Sequence, residues 1–137
     1  MSFFTIRMKT IFEKIIDREI PAVFVYEDEK ALAIMDKFPA VSGQVLIIPK
    51  KPVDYVFDLD EENYNYLFNL AKKIGPAMHK ALGAKRVCML VEGFHVPHVH
   101  IKMYPVRDGE KLEIHMGDEI SDEVLLRQAE SIKSMLF

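Results

Sequence analysis

The stretch GFHVPHVHIKMYP, residues 93–105, contains three of the five histidines of the chain. Because side chains alternate between the two faces of a strand, a strand here places His98, His100 and Lys102 on one face. Side chains two positions apart on a strand lie roughly 7 Å from each other. Three apolar side chains share the opposite face and can pack against a core: Val99, Ile101 and Met103. The stretch therefore predicts a half-buried strand that presents two imidazoles and an ammonium in a row.

Such a row is unlikely to be favourable by itself, because neighbouring cations repel one another. An anion facing the row would explain it, and phosphate is the common one. Two other interpretations stay open. The row fits the solvated polar face of an edge strand. It also fits a metal site, in which His98 and His100 supply two ligands, but zinc needs at least one more. No spacing identifies that third ligand among the candidates, which are Cys88, His95, His79, His115 or a distant carboxylate.

The patterning on either side of this stretch predicts the remaining elements. Segments rich in β-branched and aromatic residues predict strands over residues 22–26, 31–36, 44–49, 85–91 and 96–104. Short connections between the first three favour antiparallel pairing. Apolar residues at helical spacing predict helices over residues 10–17, 60–82 and 121–137. Together they indicate an α+β fold, in which a five-stranded antiparallel sheet packs with a long helix, a short N-terminal helix and a C-terminal helix.

Capping residues support the predicted helix boundaries. Thr10 and Glu13 have the spacing of a capping box, and Ser121 is the expected N-cap of the last helix. Gly83 is well placed to end the long helix. The dipeptide Gly-Pro at positions 75–76 predicts a kink or a brief break within that helix, because proline cannot donate a backbone hydrogen bond.

Composition narrows the class of protein. The chain has 137 residues, 50% of them hydrophobic, and a formal net charge of −3. These values predict a single domain over residues 1–137 and exclude a disordered chain. The longest apolar runs are far shorter than the ~20 residues of a membrane span. The N-terminus lacks the apolar segment of a secretory signal, and the single Cys88 excludes an intrachain disulfide framework, so we expect a cytoplasmic protein. The negative charge argues against nucleic-acid polymers but allows a small anionic ligand.

With these residues assembled, the chain resembles the histidine triad (HIT) superfamily of nucleotide hydrolases and transferases. The family motif is His-φ-His-φ-His-φ-φ, with φ apolar, and it stands here as HVHIKMY at residues 98–104. IFEKIIDREIPAVFVYEDEKALAIMD resembles the family's N-terminal helix and first hairpin, and FPAVSGQVLIIPKKPVDYVFDL its third strand and following loop. The similarity covers about residues 9–105. Residues 106–137 add an acidic segment and a helix, and the acidic residues between positions 108 and 130 predict a solvated, poorly packed region.

The resemblance implies roles for individual residues. The middle histidine of the family is the nucleophile, which assigns attack on the α-phosphorus and a nucleotidyl-histidine intermediate to His100. His98 would orient and polarise the site, and Asp36 would accept both ribose hydroxyls. In the loop before the motif, Gly93 gives room to approach phosphate and His95 is a candidate phosphate contact. Six apolar residues match positions that sandwich the base, with core packing as the competing explanation: Ile11, Phe12, Ile15, Ile34, Met35 and Leu46.

Several departures from the family pattern affect the expected activity. Lys102 replaces the third histidine, which contacts the scissile phosphate and the leaving group. A lysine can stabilise phosphate charge but is a poorer general acid near neutral pH, so we expect slow turnover or good leaving groups. Gln44, a candidate substrate contact, stands where many members have a histidine. The loop VEGFHVP is more compact than the family's and lacks its asparagine. The paired N-terminal cysteines of zinc-carrying members are missing, so we predict neither a structural zinc nor another cofactor.

These features predict a nucleotide hydrolase or nucleotidyltransferase. The resemblance implies nucleoside phosphoramidates, dinucleoside polyphosphates or similar conjugates as substrates, with a purine nucleotide expected. The alternative is a HIT-like nucleotide-binding module with little or no catalysis, which Lys102 and the altered loop favour. A metal-dependent enzyme that uses His98 and His100 is a third hypothesis. Family members usually form homodimers by pairing sheets across a two-fold axis, so we expect a homodimer.

Overall fold

Five strands form one antiparallel sheet in the computed structural model, which describes residues 8–136. They are β1 Phe24–Glu27, β2 Ala31–Met35, β3 Val45–Pro49, β4 Arg86–Leu90 and β5 Ile101–Val106. Their order across the sheet is β1-β2-β3-β5-β4, and every neighbouring pair is antiparallel. The predicted α+β fold with a five-stranded antiparallel sheet is confirmed. Residues 1–7, where we expected no secretory signal, and residue 137 lie outside the described part of the chain.

Three helices accompany the sheet: α1 Ile11–Ile16, α2 Glu61–Leu82 and α3 Asp122–Ser134, with a 3-10 turn at Val56–Asp58 before α2. The predicted capping box is present, since the Thr10 hydroxyl accepts from the Glu13 amide and the Glu13 carboxylate accepts from the Thr10 amide. Gly83 ends α2 in the left-handed conformation, and Ser121 caps α3. Within residues 8–136, no helix combines the length and the apolar character that crossing a membrane requires.

Both faces of the sheet carry apolar side chains. On one face, α2 packs against β3, β4 and β5, while α3 packs against α2 and β1. On the other face, α1 contributes Phe12 and Ile15 to a smaller apolar cluster. The residues of β3 alternate between the two, since Ile47 belongs to the helical core and Leu46 to the cluster with α1. Lys102 pairs directly with Leu46 across β3 and β5, which places it on the α1 side of the sheet.

The last strand begins at Ile101 and not at residue 96, so both motif histidines precede it. Pro97 lies just before them and cannot donate to a strand ladder. The amide of Val99 donates instead to the carbonyl of Val53, at 2.8 Å. The predicted alternation nevertheless extends back to Val99, which is buried in the helical core. A backbone hydrogen bond to the loop after β3, in place of a ladder, holds the histidine segment beside the sheet.

Of the kink or brief break predicted at positions 75–76 of α2, the break is wrong. The helix runs continuously from Glu61 to Leu82 with Pro76 inside it. Proline removes one backbone hydrogen bond, whose net contribution to stability is about 1 kcal/mol. Three apolar side chains on either side of Pro76 are buried in the helical core, and the two large ones each contribute about 1.5–3 kcal/mol, so their packing outweighs that loss. They are Ile74, Ala77 and Met78.

The acidic C-terminal region has two parts. Residues 107–121 contain no helix or strand and are largely exposed, as their charge predicts. Two backbone hydrogen bonds anchor them, from Gly117 to the Phe38 carbonyl at 3.1 Å and from Ile120 to the Lys37 carbonyl at 2.9 Å. For α3 the prediction of poor packing is wrong, because its apolar positions recur at helical spacing and enter the core. The buried residues are Leu125, Ala129 and Ile132.

Candidate functional site

Hydrogen bonds to backbone carbonyls fix the rings of His98 and His100. Both rings are buried; Nε2 of His98 lies 2.7 Å from the Pro49 carbonyl oxygen, and Nδ1 of His100 lies 2.7 Å from the His98 carbonyl oxygen. A carbonyl oxygen only accepts hydrogen bonds, so each of these ring nitrogens carries a hydrogen. In the neutral imidazole of His100, Nε2 then holds the lone pair. A nucleophilic histidine requires this arrangement.

The surroundings of His100 favour its neutral form. Burial lowers the pKa of His100 below the ordinary value of 6.5, and the positive charge of Lys102 also lowers it. The hydrogen bond to the His98 carbonyl and the negative charge of Glu92 raise the pKa without reversing the shift. His100 is therefore mainly neutral at neutral pH, with Nε2 available for reaction.

Lys102 is paired with Glu92, which the sequence pattern did not single out. The Lys102 Nζ lies 2.7 Å from Glu92 Oε1, and the two side chains are only 19% and 16% exposed. The second carboxylate oxygen of Glu92 accepts a hydrogen bond from the Phe94 amide at 3.0 Å. Burial opposes ionisation of Glu92, but the hydrogen bonds from Lys102 and Phe94 hold its pKa below the usual value. Glu92 therefore supplies one negative charge beside the row, and the predicted phosphate ligand stays a prediction.

Asp36 follows directly after β2 and is held by two hydrogen bonds. Its Oδ1 accepts from the Phe38 amide and its Oδ2 from Nε2 of Gln44, both at 2.8 Å. Burial raises the pKa of Asp36, and the hydrogen bond from Phe38 and the charge of Lys102 offset this only in part. Each carboxylate oxygen has two lone pairs, so Asp36 keeps the capacity to accept two further hydroxyls. Its predicted contact with ribose stays a prediction that this geometry permits.

Gln44 holds the Asp36 carboxylate in position through a side-chain hydrogen bond. Its side chain is buried, its Nε2 donates to Asp36, and its Oε1 accepts from the Ala40 amide at 2.7 Å. Both ends of the amide are therefore engaged within the protein. The predicted contact of Gln44 with substrate stays a prediction, and in this structure its side chain supports the Asp36 carboxylate.

Four of the six predicted base contacts lie together on the α1 side of the sheet, in the cluster of Phe12, Ile15, Ile34 and Leu46. The rings of Phe12 and His100 are 4.8 Å apart, and Ile11 is exposed beside them on α1. Met35 does not join this group, because consecutive residues of β2 face opposite sides. It packs in the helical core. The structure therefore places Met35 on the opposite face of the sheet from this cluster.

The other predicted residues lie in the loop between β4 and β5. Gly93 adopts φ +75°, a left-handed conformation that favours glycine, and His95 is exposed. Two further histidines are exposed elsewhere, His79 on α2 and His115 between β5 and α3. Among residues 8–136, no three side chains of histidine, cysteine, aspartate or glutamate converge as metal ligands would.

Tyr104 extends the row of side chains beyond Lys102. It is buried, and burial together with the charges of Asp36 and Glu92 raises its pKa to about 12. The motif pattern counted Tyr104 only as an apolar position. At neutral pH its phenol therefore stays protonated beside these groups.

A cavity of about 360 Å³ adjoins His100, between the 3-10 turn, α2 and the β4–β5 loop. Two carboxylates, Asp54 and Glu92, lie in its wall. Neither Asp36 nor Phe12 lines it, so the Phe12 ring contacts His100 from a different side. The sequence pattern missed this cavity, because its walls come from three separate segments. Five aromatic residues line it: Tyr55, Phe57, Tyr64, Phe68 and Phe94.

Comparison with known proteins agrees with this geometry. Residues 17–109 match the family model of the HIT domain. An uncharacterised HIT-like protein of Methanocaldococcus jannaschii is 35% identical over 124 residues, which cover 84% of this chain and 95% of that protein. The crystal structure of a HIT-like protein involved in cell-cycle regulation from Bartonella henselae matches with a TM-score of 0.86 and 31% identity, covering 93% of this chain and 96% of that chain. A hypothetical histidine triad nucleotide-binding protein from Sulfolobus tokodaii matches with a TM-score of 0.84 and 28% identity, covering 91% and 90%.

Proposed function

The chain belongs to the HIT domain family, and on this premise we propose that it is a nucleotide hydrolase or nucleotidyltransferase that acts at the α-phosphate. The observation that carries the proposal is the state of His100, a buried and mainly neutral imidazole whose Nδ1 hydrogen is committed to the His98 carbonyl. Its Nε2 is then the nucleophile. The description of the Sulfolobus tokodaii relative as nucleotide-binding supports a small nucleotide as the ligand.

The proposed reaction has two displacements at phosphorus. In the first, the Nε2 lone pair of His100 forms a bond to the α-phosphorus, and the leaving group departs with its bonding electrons and acquires a proton. In the second, a water oxygen forms a bond to phosphorus while the bond to Nε2 breaks, which releases the nucleoside monophosphate and a proton. A different acceptor in place of water makes the protein a transferase. His98 orients the nucleophile, because its carbonyl holds Nδ1 of His100.

Charged groups on the same side of the sheet fit this reaction. The Lys102 ammonium has three donors, so it can keep its contact with Glu92 while it donates to a phosphate oxygen. Fixed positive charge there stabilises the charge that develops in the transition state. Asp36 would bind the ribose, and the cluster with Phe12 would contact the base. Nucleoside phosphoramidates and dinucleoside polyphosphates, with a purine base, are the proposed substrates.

Release of AMP from adenosine phosphoramidate and from a diadenosine polyphosphate tests the proposal. We expect AMP from at least one of them, and trapping during turnover should yield a nucleotidyl adduct on His100 by mass spectrometry. His100→Ala should lose activity by about a thousandfold or more, as expected for a missing nucleophile. His115→Ala is the matched control, because His115 is exposed and bonded only to the nearby Glu113 carbonyl. Equal AMP release by both variants contradicts the proposed role of His100.

A nucleotide-binding module with little catalysis is the second candidate. The observation that favours it is the Lys102–Glu92 pair, because a lysine held by a carboxylate is a weak proton donor to a leaving group. This candidate predicts micromolar binding of AMP or GMP by calorimetry, without turnover of any conjugate. Detectable cleavage that depends on His100 excludes it.

We propose in addition that the protein is a cytoplasmic homodimer. β4 lies at the edge of the sheet and exposes Met89, so a second sheet can approach there. Light scattering on the purified protein should give twice the mass of the chain. A monomeric mass at micromolar concentration contradicts the dimer.

A further inference from the structure

Aromatic side chains are concentrated around the cavity beside His100. The chain has nine phenylalanines and five tyrosines, and five of those within the described residues 8–136 line this one space. Two of them are largely solvent-exposed, with Phe57 71% and Phe94 88% exposed. Exposed aromatic rings in a soluble protein usually mark a binding surface. The rings are partly ordered against one another, as Tyr55 packs edge-on against Phe57 with centroids 5.3 Å apart.

We propose that this cavity binds an aryl leaving group, so that the preferred substrate is a nucleoside 5′-phosphate esterified to a phenolic oxygen. The inference deepens the proposed function and depends on it. It is based on the position of His100 between two spaces: His100 lies in the wall of the cavity, and the Phe12 ring contacts it from another side. A nucleoside held near Asp36 and Phe12 would leave its phosphate at His100, and the second substituent on that phosphate could enter the cavity.

The charge of the walls restricts what that substituent can be. Asp54 and Glu92 line the cavity, and none of the residues of the described range 8–136 that line it is a lysine or an arginine. A polyphosphate bridge would therefore be repelled by Asp54 and would compete with Glu92 for the Lys102 ammonium, which is unfavourable. A flat, uncharged ring instead gains apolar burial and edge or face contacts with the aromatic walls. The cavity volume of about 360 Å³ falls within the range of ligand pockets and suits a one- or two-ring group.

The lysine in the motif favours the same class of substrate. A leaving group of low acidity needs a proton from a general acid, and a lysine is poorly suited to supply one near neutral pH. A phenolic oxygen leaves more easily, because phenols have a pKa of about 10. In the proposed step, the bond from Nε2 of His100 to phosphorus forms and the bond from phosphorus to the aryl oxygen breaks. The oxygen keeps the electron pair, accepts a hydrogen bond from Lys102 Nζ, and takes its proton from water.

Two adenosine 5′-phosphate diesters test the proposal, the 2-naphthyl ester and the hexafluoroisopropyl ester, whose leaving alcohols have similar acidity. We expect kcat/KM to favour the naphthyl ester by about tenfold or more, as a well-filled apolar pocket allows. In the Phe57→Ala/Phe94→Ala double variant, both of whose altered side chains are exposed, the ratio should fall by about fivefold or more. Met116→Ala is the matched control, since Met116 is 74% exposed and does not line the cavity.

The ratio of the two esters decides the outcome within each variant, so a general loss of activity does not imitate the effect. A ratio near one in the unmodified protein overturns the proposal. A preference that survives the double substitution, or that is lost equally in Met116→Ala, also overturns it.

A binding measurement separates failure of this subsite from failure of the proposed function. Fluorescence titration with 2-naphthol, with and without saturating AMP, needs no turnover. We expect 2-naphthol to bind equally in both conditions and about fivefold more weakly to the double variant. Displacement of 2-naphthol by AMP would show that the cavity binds the nucleotide base. No binding of 2-naphthol, together with a changed oligomeric mass of the double variant, would show that the cavity is a contact between copies of the chain. Either result overturns the proposal. If no conjugate is cleaved, the proposed function fails while 2-naphthol binding still decides the subsite.

Discussion

Lys102 of β5 and Glu92 of the β4–β5 loop form an ion pair of 2.7 Å that is largely shielded from water. Shielding strengthens the attraction relative to an exposed pair, and it also fixes the position of the ammonium next to His100. The same carboxylate binds the Phe94 amide, so the pair couples the lysine to the loop that borders the cavity. The pair thus fixes a positive charge on the same face of the strand segment as His98 and His100.

Lys102→His should increase turnover of adenosine phosphoramidate. A histidine can donate a proton to the departing amine near neutral pH, so we expect kcat to rise about tenfold or more. The gain should be smaller for the naphthyl ester, whose leaving group needs little protonation. Steady-state kinetics on both substrates checks this, with Lys133→His on the exposed surface of α3 as the control. Unchanged or lower kcat on the phosphoramidate shows that the lysine does not limit the rate.

The Lys102–Glu92 pair should contribute to stability. Lys102→Met leaves a mostly buried carboxylate without its cation, and we expect a loss of about 2 kcal/mol in the free energy of unfolding. In the Lys102→Met/Glu92→Gln double variant, the loss of unfolding free energy should be less than the sum of the losses in the two single variants. Urea denaturation of the four proteins measures this coupling. Lys133→Met, which breaks an exposed pair with Glu130 in α3, should cost less than about 0.5 kcal/mol. Additive losses contradict a coupled pair.

Activity should persist into mildly acid solution. The pKa of His100 lies below 6.5, so its imidazole stays neutral, and able to attack, at pH values where an ordinary histidine is protonated. The acid limb of kcat/KM should therefore fall below pH 6.5. By the same shift the unfolded chain binds the proton more readily, so stability should decrease as the pH drops below about 6.5. Burial raises the pKa of Asp36, so its carboxylate also titrates on the acid side of the profile. The Asp36→Asn variant removes this group and leaves His100 to set the acid limb. An acid limb at or above pH 6.5 in both proteins contradicts this assignment.

Gln44→Leu should weaken recognition of the ribose. The substitution removes the hydrogen bond that holds Asp36 Oδ2, so the carboxylate loses its fixed orientation. We expect KM to rise about fivefold for an adenosine substrate and to change little for the 2′-deoxy analogue. Gln128→Leu, which removes a hydrogen bond to Ser42 at 2.9 Å, serves as the control. An equal rise in KM for both sugars indicates a general structural defect instead.

The sequence predicted those features that depend on local geometry. Strand alternation correctly separates Ile101 and Met103 from Lys102, and the helix caps at Thr10 and Gly83 follow from short-range hydrogen bonding. The same alternation places Ile34 and Met35 on opposite faces of the sheet.

Features that depend on register and loop conformation were not predictable. Glu92 reaches Lys102 because β4 and β5 pair with Leu90 opposite Lys102, and because the chain turns at Gly93 with a positive φ. Neither the register nor the turn is encoded in the spacing of residues 92 and 102. The cavity likewise requires the 3-10 turn, α2 and the loop to meet, which only the folded chain reveals.

The anchor between the acidic segment and the turn after Asp36 bears on where the chain can be shortened. The match to the HIT family ends at residue 109, yet Gly117 and Ile120 bond to the two residues that follow Asp36. A Cβ at Gly117 would lie 1.9 Å from the Pro39 carbonyl oxygen, so this contact accepts glycine alone. A recombinant fragment that ends at residue 109 would lose these two hydrogen bonds together with α3. Recombinant fragments should therefore extend through α3. The C-terminal region holds the turn after Asp36, whose carboxylate is proposed to bind the ribose.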